Sequence, residues 1–325
     1  MESTYQPDKE SSSKVAKLDA EELGSTEAVT LWKTTWRRLF RRKSALLGLL
    51  ILGFFVFIAI FAPWIAPYSP YQSLIGIEDV RPRAAPCIHL LGCPPDQSQH
   101  IMGIDGNVRD QFSRWIYGSR LSLVVGFASV GFAIVIGTVL GALAGYLGKT
   151  TDNVIMRFMD VLLAFPSLLL AIAIVSILGP GIINALIAIG IVTIPVYARV
   201  TRASVLTVRE MEFVEASRAL GGGTAYILFG RILPNSLTPL IVQGTLGIAT
   251  AILDVAALSF LGLGAQPPTP EWGTMLSAER NQVFTAPHLV FFPGLAIMLV
   301  VLSFNLLGDG LRDALDPRLA VRGAE

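Results

Sequence analysis

"EASRALGGG", residues 215 to 223, places a carboxylate, an arginine and three consecutive glycines between apolar stretches long enough to cross a membrane. Phe213, Ala216 and Leu220 fall on one face at helical spacing, and Glu215 and Arg218 project from another side. Gly221 is placed as the left-handed residue that ends such a helix. Upstream, Thr207 and Glu210 have capping-box spacing, which predicts a helix start there. Downstream, Thr224 is placed to cap a second helix that meets Leu233-Pro234 near the membrane. The first helix has few bulky apolar residues for resting on lipid. It is better suited to filling a groove on another protein.

The surroundings of this stretch decide the class. Of 325 residues, 53% are hydrophobic and only 15% charged, the composition of an all-α polytopic membrane protein. Crossing about 30 Å of hydrocarbon takes about 20 mostly apolar residues, and a helix satisfies its own backbone while doing so. Six segments qualify as transmembrane helices: 44–66, 120–147, 156–178, 182–200, 237–263 and 288–309. The fourth is the shortest and carries Pro195, and Gly179-Pro180-Gly181 turns the chain ahead of it. The chain thus divides into a polar tail with a basic flank (1–43), a first helix (44–66) and a large hydrophilic segment (67–119). A five-helix core (120–309) follows, interrupted by the polar loop 201–236, and 310–325 form a tail.

Residues 1 to about 30 carry no apolar period and read as disordered. They lack the pattern of a cleavable leader, so the 44–66 helix is expected to be retained. Lysine and arginine set the orientation. With Arg37, Arg38, Arg41, Arg42 and Lys43 inside, only Arg81, Arg83, Arg109, Arg114, Arg120 and Arg280 of the 25 basic residues fall outside. Both termini are therefore expected in the cytoplasm and 67–119 outside. A net charge of +1 gives no reason to expect a nucleic-acid partner.

The external segment holds the only cysteines, Cys87 and Cys93, in "CIHLLGC". On the oxidising side a disulfide is the expected state, with two free thiols as the alternative. His89 and His100 lie nearby, but the spacing does not match a zinc site, and no metal is expected. "GYLGKT", 145–150, resembles the end of a phosphate-binding loop, yet Leu143 stands where that loop needs glycine and no strand precedes it. With no catalytic constellation either, the chain reads as non-hydrolytic. Gly126, Gly131, Gly137, Gly141 and Gly145 recur at spacings that allow close helix packing. Asp254 lies well inside the fifth span, where a carboxylate is costly. Two readings of it stay open: a lining of the translocation path, or an interhelical hydrogen bond. Asp160, one turn from Arg157, reads as a structural pair with it.

Three blocks carry a resemblance to a known family. "EASRALGGGTAYILFGRILP" resembles the EAA loop of ABC-importer permeases, with Glu215, Ala216, Gly221, Leu233 and Pro234 in register, Ser217 in place of the second alanine and Arg231 in place of isoleucine. "HIMGIDGNVRDQFSRWIYGSRLSL", 100–123, is similar to the segment before the second span of the dipeptide/oligopeptide/nickel permeases, with Val108 where glycine is usual. "LDVAALSFLGLGAQPPTPEWGTML", 253–276, is similar to the fifth-span end of the same family, with Asp254 where glutamate is usual. "CIHLLGC" and the N-terminal tail lie outside the match.

The resemblance implies a type I ABC importer permease fold and the second, C-type, permease of a pair. It implies that the 215–223 helix couples the spans to a cytoplasmic ATPase through Glu215, Ala216, Ser217, Arg218, Gly221, Leu233 and Pro234. The implied partners are a homologous permease, two subunits that bind ATP and magnesium, an external substrate-binding protein and membrane lipid. The implied location is the bacterial or archaeal inner membrane. Peptides are the expected cargo, with nickel or another small solute as the alternative. A secondary transporter using Asp254 would leave the coupling motif unexplained and would be expected to show internal repeats, which the spans lack. A membrane scaffold that transports nothing is the third reading.

Overall fold

The computed structural model describes Trp36, Arg37 and residues 39–315, and most of the polar N-terminal tail and the end of the C-terminal tail lie outside these. In chain order the helices are α1 (Lys43–Ile65), α2 (Gln111–Leu147), α3 (Lys149–Leu163), α4 (Ser167–Leu178), α5 (Ile182–Val208), α6 (Glu212–Ala219), α7 (Leu237–Phe260), α8 (Trp272–Glu279) and α9 (Pro287–Leu315). Among the described residues there is no strand, only isolated bridges. Five helices, α1, α2, α5, α7 and α9, are long and apolar enough to cross a membrane. The bent pair α3–α4 makes a sixth span if counted as one.

That pair corrects the expectation of a continuous helix over 156–178. The two helices meet at 90° across Ala164, Phe165 and Pro166. Pro166 has no N–H for the ladder and steers the residue before it away from helical geometry. Its carbonyl then accepts the first bond of α4, from the Leu170 N–H at 3.0 Å. Asp160 bonds Arg199 of α5 at 2.6 Å, not Arg157.

The second span also begins earlier than hydropathy indicated, at Gln111 rather than 120. At 1.5 Å per residue its 37 residues reach about 55 Å, so several turns stand outside the hydrocarbon. The polar start is satisfied locally. Asp110 caps it by accepting from the Ser113 N–H at 2.7 Å. The Arg114 guanidinium donates to the carbonyls of Pro70 and Pro268 at 2.8 and 3.0 Å.

The core is organised around a seam between α2 and α5. A Cβ on Gly137 would lie 2.8 Å from the Ile194 carbonyl, one on Gly141 would collide with the Ala198 carbonyl, and one on Gly145 would lie 3.0 Å from the Arg202 carbonyl. Backbone therefore packs on backbone along two turns, the contact that small residues permit between membrane helices. Gly126 packs instead on Ile252 of α7, and Gly131 faces open space. Pro195 sits buried inside α5, which continues through it to Val208. Toward the start of α2, away from the seam, Phe55 of α1, Trp115 of α2 and Trp272 of α8 join in one aromatic cluster.

Candidate coupling site

The polar helix that opened the sequence analysis is α6. Its N-terminus is not where the Thr207–Glu210 spacing predicted it. Helix α5 runs on through Val208, and the Thr207 hydroxyl donates back to the Ala203 carbonyl at 3.2 Å. A local side chain–backbone bond of that kind is the known competitor of capping. The loop therefore spans Arg209 to Ser236 rather than 201–236. The C-terminal end matches expectation. Gly221 has φ +82°, its N–H bonds the Arg218 carbonyl and that of Gly222 bonds the Ser217 carbonyl, each at 3.0 Å. This is a Schellman stop, which a glycine in the left-handed region makes without strain.

One residue of α6 faces inward. Val214 is buried against Ala142 of α2, Val205 and Val208 of α5, and Ile227, Leu228 and Ile232. The last three belong to a π-helical turn, Tyr226–Ile232, that sequence reasoning did not anticipate. Pro234, lacking an N–H, comes two residues after the end of this widened turn. Arg231, at the position the family fills with isoleucine, lies over the Tyr226 ring, 5.3 Å from its centroid. Leu233 joins the same cluster, whereas Pro234 is exposed. The opposite face of α6 is free: Glu215, Ala216 and Arg218 are exposed, as are Phe213 and, at 88%, Leu220. The apolar residues expected on one face thus point away from this chain, and α6 is fastened by Val214 alone.

Two arginines, Arg202 on α5 and Arg209 just past its end, brace the cluster. Arg202 forms a two-pronged ion pair with Asp152 of α3, 2.5 and 2.6 Å. The Arg209 guanidinium donates to the Gly145 carbonyl at 2.8 Å. "GYLGKT" runs from the end of α2 through the turn at Gly148 into the start of α3, with Gly148 and Lys149 both at positive φ.

At the other end of α2 lies a polar network built from the 100–123 block. His100 stands between two carboxylates, Nδ1 2.9 Å from Asp110 and Nε2 3.0 Å from Glu78. Glu78 also accepts from the Tyr68 hydroxyl at 2.7 Å. Burial disfavours the imidazolium, but the hydrogen bonds and charges of Asp110 and Glu78 outweigh it and hold the His100 pKa above its ordinary value. Burial, then the bond to Glu78, pushes the Tyr68 phenol up to about 12. Asp105 binds Arg109 at 2.8 Å and lies 3.4 Å from Arg114. Val108, in place of the family's glycine, adopts φ 56°, and its side chain is buried with Leu74 and Ile104. The Asp110–Ser113 spacing was a legible capping signal; nothing in the sequence marked Glu78 as the third member.

Cys87 and Cys93 are paired as a disulfide with their Cα atoms 5.4 Å apart. Gly92 between them turns the chain at φ +97°. Reciprocal backbone bonds of 2.9 Å tie Cys87 to His100. Asp254 is half-buried on α7, and no interhelical hydrogen bond or ion pair to it is made among the described residues. Glu271, not singled out by sequence, is buried and caps α8 through the N–H groups of Gly273 and Thr274.

Residues 137–321 match the family described as binding-protein-dependent transport system inner membrane component. The chain belongs to that family. Residues 30–86 of this permease match the N-terminal TM domain of oligopeptide transport permease C. It is 50% identical over 292 residues to the dipeptide transport system permease protein DppC of Alkalihalophilus pseudofirmus, covering 90% of this chain and 91% of that one. It is 49% identical to the di/tripeptide transport system permease protein DppC of Pseudomonas aeruginosa, covering 88% and 92%. It is 44% identical to the glutathione transport system permease protein GsiD of Escherichia coli, covering 89% and 91%. The fold is that of the permease in an inward-facing structure of the MetNI methionine ABC transporter, with a TM-score of 0.52 at 22% identity over 63% of this chain and 97% of that one.

Proposed function

We propose that this permease is one half of the translocation pore of an ATP-driven importer of short peptides. A homologous permease forms the other half, an external binding protein delivers the peptide, and two separate cytoplasmic subunits bind ATP with magnesium and hydrolyse the ATP. Both termini and α6 lie on the cytoplasmic side. The basic residues flanking α1 support that orientation, and the Arg42–Asp313 ion pair of 3.1 Å puts the start of α1 and the end of α9 on one side. Peptide cargo is supported by the names of the relatives, which transport dipeptides, tripeptides and glutathione.

The observation that carries the reading is α6 itself. It is held by one buried valine, ends in a strict turn and presents Phe213, Ala216, Leu220, Glu215 and Arg218 outward. A helix so exposed on a structure otherwise built for lipid is suited to a protein groove. The test reconstitutes the complete transporter in vesicles with Gly221→Val or Glu215→Lys. A β-branched residue is disfavoured at φ +82°, and the lysine reverses a charge at the surface. Both variants should insert and assemble as permeases, yet lose the ATPase subunits or hydrolyse ATP without uptake of labelled dipeptide. Normal ATPase association with normal uptake in both removes the coupling reading. Binding of nickel, and not of peptides, by the cognate binding protein removes the peptide reading.

A further inference from the structure

Arg120 is exposed on α2 and has no hydrogen bond or ion pair among the described residues, and the apolar run of that helix begins just after it. It lines a groove of about 610 Å³ between α1 and α2, whose other walls include Val56, Ala59, Ile60, Val124 and Phe127. That volume is in the range of small-molecule sites.

The depth of the groove follows from helix geometry. Ile60 lies five residues before the end of α1 at Ile65, or about 7 Å at 1.5 Å per residue. Trp64, 78% exposed, marks the membrane–water boundary at that end. Arg120, which lines the same groove as Ile60, therefore sits about one turn inside that boundary, from where an arginine side chain extends back to the headgroup level. From there the groove descends along Val56, Val124 and Phe127 toward the bilayer centre. A charge in a span without a protein partner calls for another partner. Guanidinium is the side chain best matched to a phosphate. A second groove, of about 650 Å³ between α7 and α9, is lined by apolar side chains and Asn305, and no charge there names an occupant.

We infer that the α1–α2 groove is a binding site for one anionic glycerophospholipid, its phosphate on the Arg120 guanidinium and an acyl chain along Val56, Val124 and Phe127. The site belongs to the leaflet at the Ile65 end of α1 and does not depend on the cargo or on the coupling helix.

Native mass spectrometry of the complete, delipidated transporter titrated with phosphatidylglycerol tests it. One lipid per complex should bind at lower concentration than the rest. Its affinity should fall about tenfold or more in Arg120→Gln, as loss of a charge-assisted hydrogen bond implies, and be largely kept in Arg120→Lys. Ala59→Trp, which fills the groove without touching the charge, should displace the same lipid. Diacylglycerol with the same chains should not occupy the site, and glycerol phosphate should not compete for it. Unchanged lipid binding in both Arg120→Gln and Ala59→Trp overturns the site, as does equal binding of diacylglycerol. Separation of the two permeases in Arg120→Gln with an unchanged lipid count would assign the groove to protein instead.

Discussion

His100 Nδ1 lies 2.9 Å from the Asp110 carboxylate, and Asp110 is also the cap of the longest helix in the structure. With Glu78 on the other ring nitrogen, the imidazole fills its site best with both nitrogens protonated. Its folded pKa is raised above the unfolded value of about 6.5. The stabilisation is thus complete below about 6.5 and is lost as the pH rises through the folded value. The thermal midpoint of the purified transporter should fall on the alkaline side. In His100→Gln that dependence should flatten, at a general cost of about 1–3 kcal/mol. An unchanged alkaline profile in the variant would show that the imidazolium does not hold this end of α2.

Gly141→Ala adds one methyl group where the Ala198 carbonyl already sits. The α2–α5 seam should open at a cost of about 1–3 kcal/mol, seen as a lower unfolding midpoint in detergent. Gly131→Ala on the same helix meets nothing within 4 Å. There the better helix propensity of alanine should leave stability equal or raise it by up to about 1 kcal/mol. Equal effects at the two positions would contradict the seam.

Cys87 and Cys93 should resist alkylation in the unreduced protein, and mass spectrometry of the peptide spanning both should show the loss of two hydrogens. Ready double alkylation without reductant would mean two free thiols.

Asp254→Asn should leave the amount of assembled complex near normal, since no hydrogen bond to Asp254 exists among the described residues to be lost. Peptide uptake per complex should fall if the residue faces the path. The reverse pattern, less complex with normal uptake per complex, would place its role in packing against the partner permease.

The elements legible in sequence were those whose signal is local. Gly221 was readable as a helix stop because a left-handed position selects glycine. The five uninterrupted spans were readable from apolar length, although α2 was misplaced at its start because hydropathy is blind to buried polar residues such as Ser113 and Arg114. Asp110, which caps that start, was readable in principle by its spacing to Ser113. Pro166 was a visible breaker inside the third expected span, and a window of mean apolarity averaged it away. The Thr207–Glu210 pattern failed because it competed with an α5 ladder extended by tertiary packing of Val205 and Val208. Glu78, Arg202 with Asp152, and the α8 cap at Glu271 join residues far apart in the chain, and no periodicity announces such pairs.

The glycine seam gives α2 and α5 the character of a strut. Between them lies backbone rather than a layer of side chains that can change rotamer, and close-packed interiors compress little. One end of α2 is clasped with Val214 through Ala142, and the other carries Asp110 and the histidine clamp beyond it. On the coupling role proposed for α6, a stroke applied there would have little slack to take up before it reached the histidine clamp and the disulfide-bearing segment at the far end of α2.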